Sequence, residues 1–68
     1  MKKAKVIYPN IEAERVRNGL SKEELSSELD VSSKTYQNWQ QKKSDIPASK
    51  LMTMAKMFDC SIDYLLQT

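Results

Sequence analysis

Apolar residues recur along this chain at the three- and four-residue spacing of a helix, and no stretch alternates as a strand would. Leu25 and Leu29 are four apart and share a face. Leu51, Met54, Ala55 and Phe58 repeat at the same spacing, and Ile62, Leu65 and Leu66 complete the pattern. Start and stop signals cut it into five helices. The first opens at Pro9–Asn10, with Asn10 expected as the N-cap and Glu12 and Glu14 in the turn where the helix dipole favours acids. It runs to about Asn18, and Gly19 suits the left-handed residue that ends a helix. Ser21-Lys22-Glu23-Glu24 is a capping box opening a short second helix. Asp30 then tolerates the left-handed region better than most residues, and makes a hinge.

Ser32 or Ser33 caps a third helix, and Lys42 to Pro47 is a loop. Pro47-Ala48-Ser49 begins a fourth helix, which Asp59-Cys60 breaks, and Ser61 caps a last short one ending at Leu66. Residues 1–9, with Lys2, Lys3 and Lys5, read as a mobile basic arm; residues 10–68 read as one helical domain. The expected fold is all-α.

The third helix has two chemically different sides. At about 100° per residue, Ser33, Lys34, Gln37, Asn38 and Gln41 fall within an arc of roughly 140°. Tyr36 and Trp39 lie opposite and are expected in the core rather than stacked on bases. The helix before it ends in a tight turn, so the two must cross steeply and the third must protrude. The DNA major groove, about 12 Å wide, admits one such helix. Lysine donates to guanine O6 and N7, and asparagine or glutamine bonds adenine N6 and N7. Serine hydroxyls and the N–H groups of a helix start suit phosphate.

Composition narrows the alternatives. The chain has 68 residues, one Cys and no His, so an internal disulfide, a Cys–His pair and a His-based triad are excluded, and zinc has almost no ligands. Nothing arranges the serines and aspartates with a base, so no catalysis and no cofactor are expected. No apolar run approaches the roughly 20 residues of a membrane span, and no apolar stretch follows the first lysines as in a signal peptide, so a cytoplasmic protein is expected. Cys60 reads as a small half-buried residue, and Met52, Met54 and Met57 as core or interface fillers. The net charge of +2 says less than its distribution. Residues 23–30 hold Glu23, Glu24, Glu28 and Asp30 and no base; residues 31–44 hold Lys34, Lys42 and Lys43 and no acid.

Four segments in order carry a wider likeness: Gly19-Leu20-Ser21-Lys22-Glu23-Glu24-Leu25, Leu29-Asp30-Val31-Ser32, Tyr36-Gln37-Asn38-Trp39 and Ile62-Asp63-Tyr64-Leu65-Leu66. With these the chain resembles the Cro and phage-repressor helix-turn-helix family over about Asn10 to Leu66. The resemblance implies a five-helix domain with the helix-turn-helix at helices 2 and 3. It implies a bacterial or phage transcription regulator, often a dimer on a near-palindromic site. Carried over by position, Ser33, Lys34 and Asn38 face bases, with Gln37 beside them. Lys22 meets the backbone or an outer base; Ser32, Lys43 and Ser44 meet phosphates. Arg15 occupies the place of an arginine that pairs with a glutamate at the end of the recognition helix and reaches phosphate. Three departures stand out. The glutamate is Gln40, the turn glycine is Asp30, and the glycine after the recognition helix is replaced within Gln41-Lys42-Lys43.

The reading is a sequence-specific regulator of double-stranded DNA, acting as a repressor, with no small-molecule ligand indicated. A homodimer is expected because one recognition helix spans few base pairs; the last helix and the fourth helix's methionines are the candidate contacts. The rival reading is a protein-interaction module, an antitoxin or adaptor, on the same fold.

Overall fold

Each helix starts where a side chain or a proline can serve its first turn. The computed structural model describes residues 6–68. Among these it is all-helical: α1 (Pro9–Arg17), α2 (Lys22–Glu28), α3 (Ser33–Gln40), α4 (Ala48–Phe58) and α5 (Ile62–Leu65). The capping box closes both ways: Ser21 Oγ accepts from Glu24 N at 3.0 Å, and Ser21 N donates to Glu24 Oε1 at 2.8 Å. Ser32 Oγ accepts from Thr35 N at 3.1 Å and Ser61 Oγ from Tyr64 N at 3.0 Å. Each cap stabilises its helix by about 1 kcal/mol.

One start differs from expectation. Tyr8, not Asn10, holds the N-cap position of α1, with Pro9 in the first turn. Proline's preset φ and missing N–H suit the first helical position, so the helix begins earlier. Asn10 is thereby released from capping, and its Nδ2 donates to Tyr64 O at 2.8 Å, tying α1 to α5.

The ends share one device. After α1, α2, α3 and α4 the residues with positive φ are Gly19 (70°), Asp30 (58°), Lys42 (58°) and Asp59 (53°). In each case the next N–H reaches back to the last turn: Leu20 to Arg15 O, Val31 to Ser26 O, Lys43 to Asn38 O and Cys60 to Ala55 O, at 2.8 to 3.1 Å. This is the Schellman closure, which satisfies carbonyls the helix leaves open. It places a non-glycine residue in the left-handed region three times, against a cost of up to about 1–2 kcal/mol that aspartate softens. Lys42 has no such help from its backbone chemistry. Its ammonium instead lies 3.1 Å from Tyr8 Oη and 5.7 Å from the centre of that ring.

The core sits between all five helices. Ile11 of α1, Leu25 of α2, Tyr36 and Trp39 of α3, Leu51, Met54 and Phe58 of α4, and Leu65 of α5 are buried, as are Leu29 and Tyr8 beside the helices. Each fully buried aliphatic side chain contributes about 1.5–3 kcal/mol. Met54 is core and Met57 packs against it half-buried, whereas Met52 is exposed.

The expected arm over residues 1–9 divides. Lys2, Lys3 and Lys5 lie outside the described residues. Ile7 and Tyr8 belong to the domain, because the end of α3 grips them. Ile7 N donates to Gln40 O at 3.0 Å, Tyr8 N to Gln40 Oε1 at 2.8 Å, and Gln40 Nε2 to Tyr8 O at 3.1 Å.

Candidate nucleic-acid interface

α2 and α3 are joined by residues 29–32, closed by the Val31 N to Ser26 O bond and by the Ser32 cap. Leu25 and Ser26 anchor α2 from within, and Ser26 Oγ donates to Lys22 O at 2.7 Å, so no polar group is left open there.

α3 buries Tyr36 and Trp39, each 2% exposed, with their rings edge to face at 6.3 Å and 71°. Such a pair adds about 0.5–1.5 kcal/mol to the burial of its area. The opposite side carries Ser33, Lys34 and Gln37, all exposed, and Asn38, half-buried. None of the hydrogen bonds found among the described residues uses the side chains of Ser33, Lys34, Gln37 or Asn38.

The remaining predicted residues fall around this helix. Lys22 and Gln37 line one shallow cavity of about 60 Å³, with Val6, Glu12, Tyr36, Gln40 and Gln41. Ser32 and Ser33 stand together at the start of α3, beside Glu23, Ser27 and Asp30 of the preceding segment. Ser32 Oγ accepts from Thr35 N in the cap and lies 3.0 Å from Thr35 Oγ1, where either hydroxyl can donate. Lys43 and Ser44 are exposed just past the helix, and Lys43 N donates to Asn38 O at 2.8 Å. The exposed side of α3 and the loop after it carry lysine, amide and hydroxyl groups, with Lys42 paired to Asp45 at 3.7 Å.

Arg15 is the exception. Its expected partner, position 40, is turned away: Gln40 is buried and bonded to Tyr8 and to Tyr36 Oη. Arg15 pairs instead with Glu12, one turn back on its own helix. Nε donates to Glu12 Oε2 at 3.1 Å, Nη2 to Oε1 at 2.8 Å, and Nη1 to Leu20 O at 2.6 Å. The reason is chemical. A neutral amide is a poor partner for a guanidinium but a complete one for a peptide group, whereas a carboxylate matches the guanidinium fork. Only 14% of the Arg15 side chain is exposed.

Glu12 is the node that sequence reasoning missed. It also accepts the phenolic hydrogen of Tyr36, across from α3. Burial alone pushes the Glu12 carboxyl up. The Arg15 and Tyr36 hydrogen bonds and the charges of Arg15 and Lys22 outweigh it and hold the group below its ordinary value. Burial, and then the bond to Glu12, pushes the Tyr36 phenol well above its usual range, so it stays a donor. The signal available in the sequence was the Glu12–Arg15 pair at helical spacing, read there only as an acid suited to the first turn.

Comparison with known proteins agrees with this geometry. A family model described as helix-turn-helix matches residues 11–65. The crystal structure of a hypothetical transcription factor, NHTF, from Neisseria superposes with a TM-score of 0.73 at 25% identity, over 96% of this chain and 75% of that one. No curated protein sequence matches the chain.

Proposed function

The chain belongs to the helix-turn-helix family of the Cro and phage-repressor type, and from that premise we propose that it is a transcription regulator that seats α3 in the major groove of a preferred DNA site. The observation that supports this best is the division of α3. One side is bound into the core, and the other offers amine, amide and hydroxyl groups that no other described residue bonds. Lys34 donates to guanine, and Gln37 and Asn38 bond adenine, as their geometry in the groove allows. Ser33 adds a hydroxyl beside them. Lys22, Ser32, Lys43 and Ser44 border the groove and meet phosphates, supplying affinity that falls with salt. Arg15 stays outside that set, its fork held by Glu12 and the Leu20 carbonyl.

Repression by covering a promoter follows from such a compact reader, which works in the cytoplasm of a bacterium or of a phage-infected cell. A homodimer on a near-palindromic operator supplies the specificity that one helix lacks. Selection of bound duplexes from a random library, with affinity measured at several salt concentrations, tests the reading. The expected result is an enriched site with two related halves. No enrichment, together with no salt-sensitive binding at all, would return the domain to the role of a protein-interaction module.

A further inference from the structure

We infer that Glu12 is a positioning residue for the recognition helix, acting through the Tyr36 phenol on α3 and the Arg15 guanidinium on α1. This rests on the reading of α3 given above. Among the described residues, Glu12 is the one side chain that bonds both α3 and, through Arg15, the Leu20 carbonyl where α2 is about to begin. α1 and α3 therefore meet at this carboxylate, and Arg15 extends the link to the segment leading into α2.

The charges around it are few and all favourable. Arg15 approaches from α1, Lys22 from α2 and Tyr36 from α3, and the Gln40 amide backs Tyr36 Oη at 3.3 Å. Glu12 holds the Tyr36 hydroxyl from α1, so rotation of α3 about its own axis would break a charge-assisted bond, whereas the Trp39 ring lies on α3 and turns with it. Gln37, which lines the same cavity as Glu12, follows Tyr36 directly in α3 and points to the outer side. A small turn of the helix therefore moves the reading amides against the bases. Position 40 cannot do this work here, because Gln40 holds the Ile7–Tyr8 segment.

The test uses Glu12→Gln and the near-isosteric Tyr36→Phe, studied at a temperature where circular dichroism shows each fully folded. Fluorescence anisotropy gives affinity for the selected site and for a shuffled duplex. Both variants should lose about fivefold or more in the ratio of the two affinities. Shuffled-duplex affinity should hold with Tyr36→Phe, and hold or rise with Glu12→Gln, which frees the Arg15 charge. In an Asn38→Ala background the same changes should cost less discrimination than they do alone. A purely structural role predicts a lower thermal midpoint with an unchanged ratio in the folded protein, and that result overturns the inference. If Glu12→Gln does not fold, Tyr36→Phe decides alone. If the unaltered protein prefers no duplex over another, the DNA reading itself fails and this inference goes with it; if it discriminates and both variants discriminate equally, only the positioning role fails.

Discussion

Gln37 and Gln40 lie three residues apart on the same helix and carry the same amide, yet the protein treats them oppositely. Gln40 is buried and bonds a peptide N–H with its oxygen and the carbonyl of the same residue with its nitrogen. Gln37 is exposed, and its amide bonds no other described residue. An amide can satisfy one peptide unit or one adenine edge, and position on the helix decides which. The same split separates Tyr36 and Trp39 from Lys34 and Asn38. The inner side of α3 therefore carries the fold, and the outer side holds the groups proposed to meet DNA.

Breaking the inner side should give the largest effect. Trp39→Ala removes a fully buried aromatic and its edge-to-face partner, and should cost about 3–5 kcal/mol of stability in urea denaturation. Gln40→Ala leaves the Tyr8 N–H without a partner in a buried place and removes one of the bonds to Tyr8 O, which keeps Ile11 N at 3.2 Å. It should cost about 1–3 kcal/mol in the same measurement while the folded fraction keeps its site preference. A loss of preference in folded Gln40→Ala would erase the distinction between the two sides.

The outer side should respond in the reverse way. Asn38→Ala should leave the denaturation midpoint almost unchanged and cost about 1–3 kcal/mol on the selected site, with relaxed preference at one base pair. Equal affinity loss on every duplex would mean that Asn38 does not read bases.

A titration sharpens the contrast between the sides. Glu12 is held below its ordinary value of 4.5, so its contribution to stability is fully present above that pH and is lost as the pH falls through the lower folded value. Glu12→Gln should flatten the acid limb of the stability curve by at most one proton, about 1.4 kcal/mol per pH unit. A curve unchanged by the substitution would show that the carboxylate is not held low. The smallest effect belongs to the loop. Lys43→Ala should weaken binding to all duplexes alike and reduce the slope of log affinity against log salt by about 0.9. A site-dependent loss would move Lys43 among the reading residues.

Much of this was legible in the sequence because it is local. Ser21, Ser32 and Ser61 cap helices within three residues of themselves, and Gly19 and Asp30 take the left-handed residue their neighbours require. The 100° periodicity was enough to place Tyr36 and Trp39 inside and Lys34 outside, since burial of a helix face depends on which residues share it. The partners of Arg15 and Gln40, the release of Asn10 to Tyr64, and the docking of Ile7 and Tyr8 were decided only in three dimensions. In the Gln40 clasp and the Asn10 bond, groups 32 and 54 residues apart compete for one hydrogen bond. Spacing along the chain carries no information about which of them arrives first in distance and angle. The helices were therefore written in the order of residues, while the bonds that tie α1 and residues 7–8 to α3 and α5 were settled by packing.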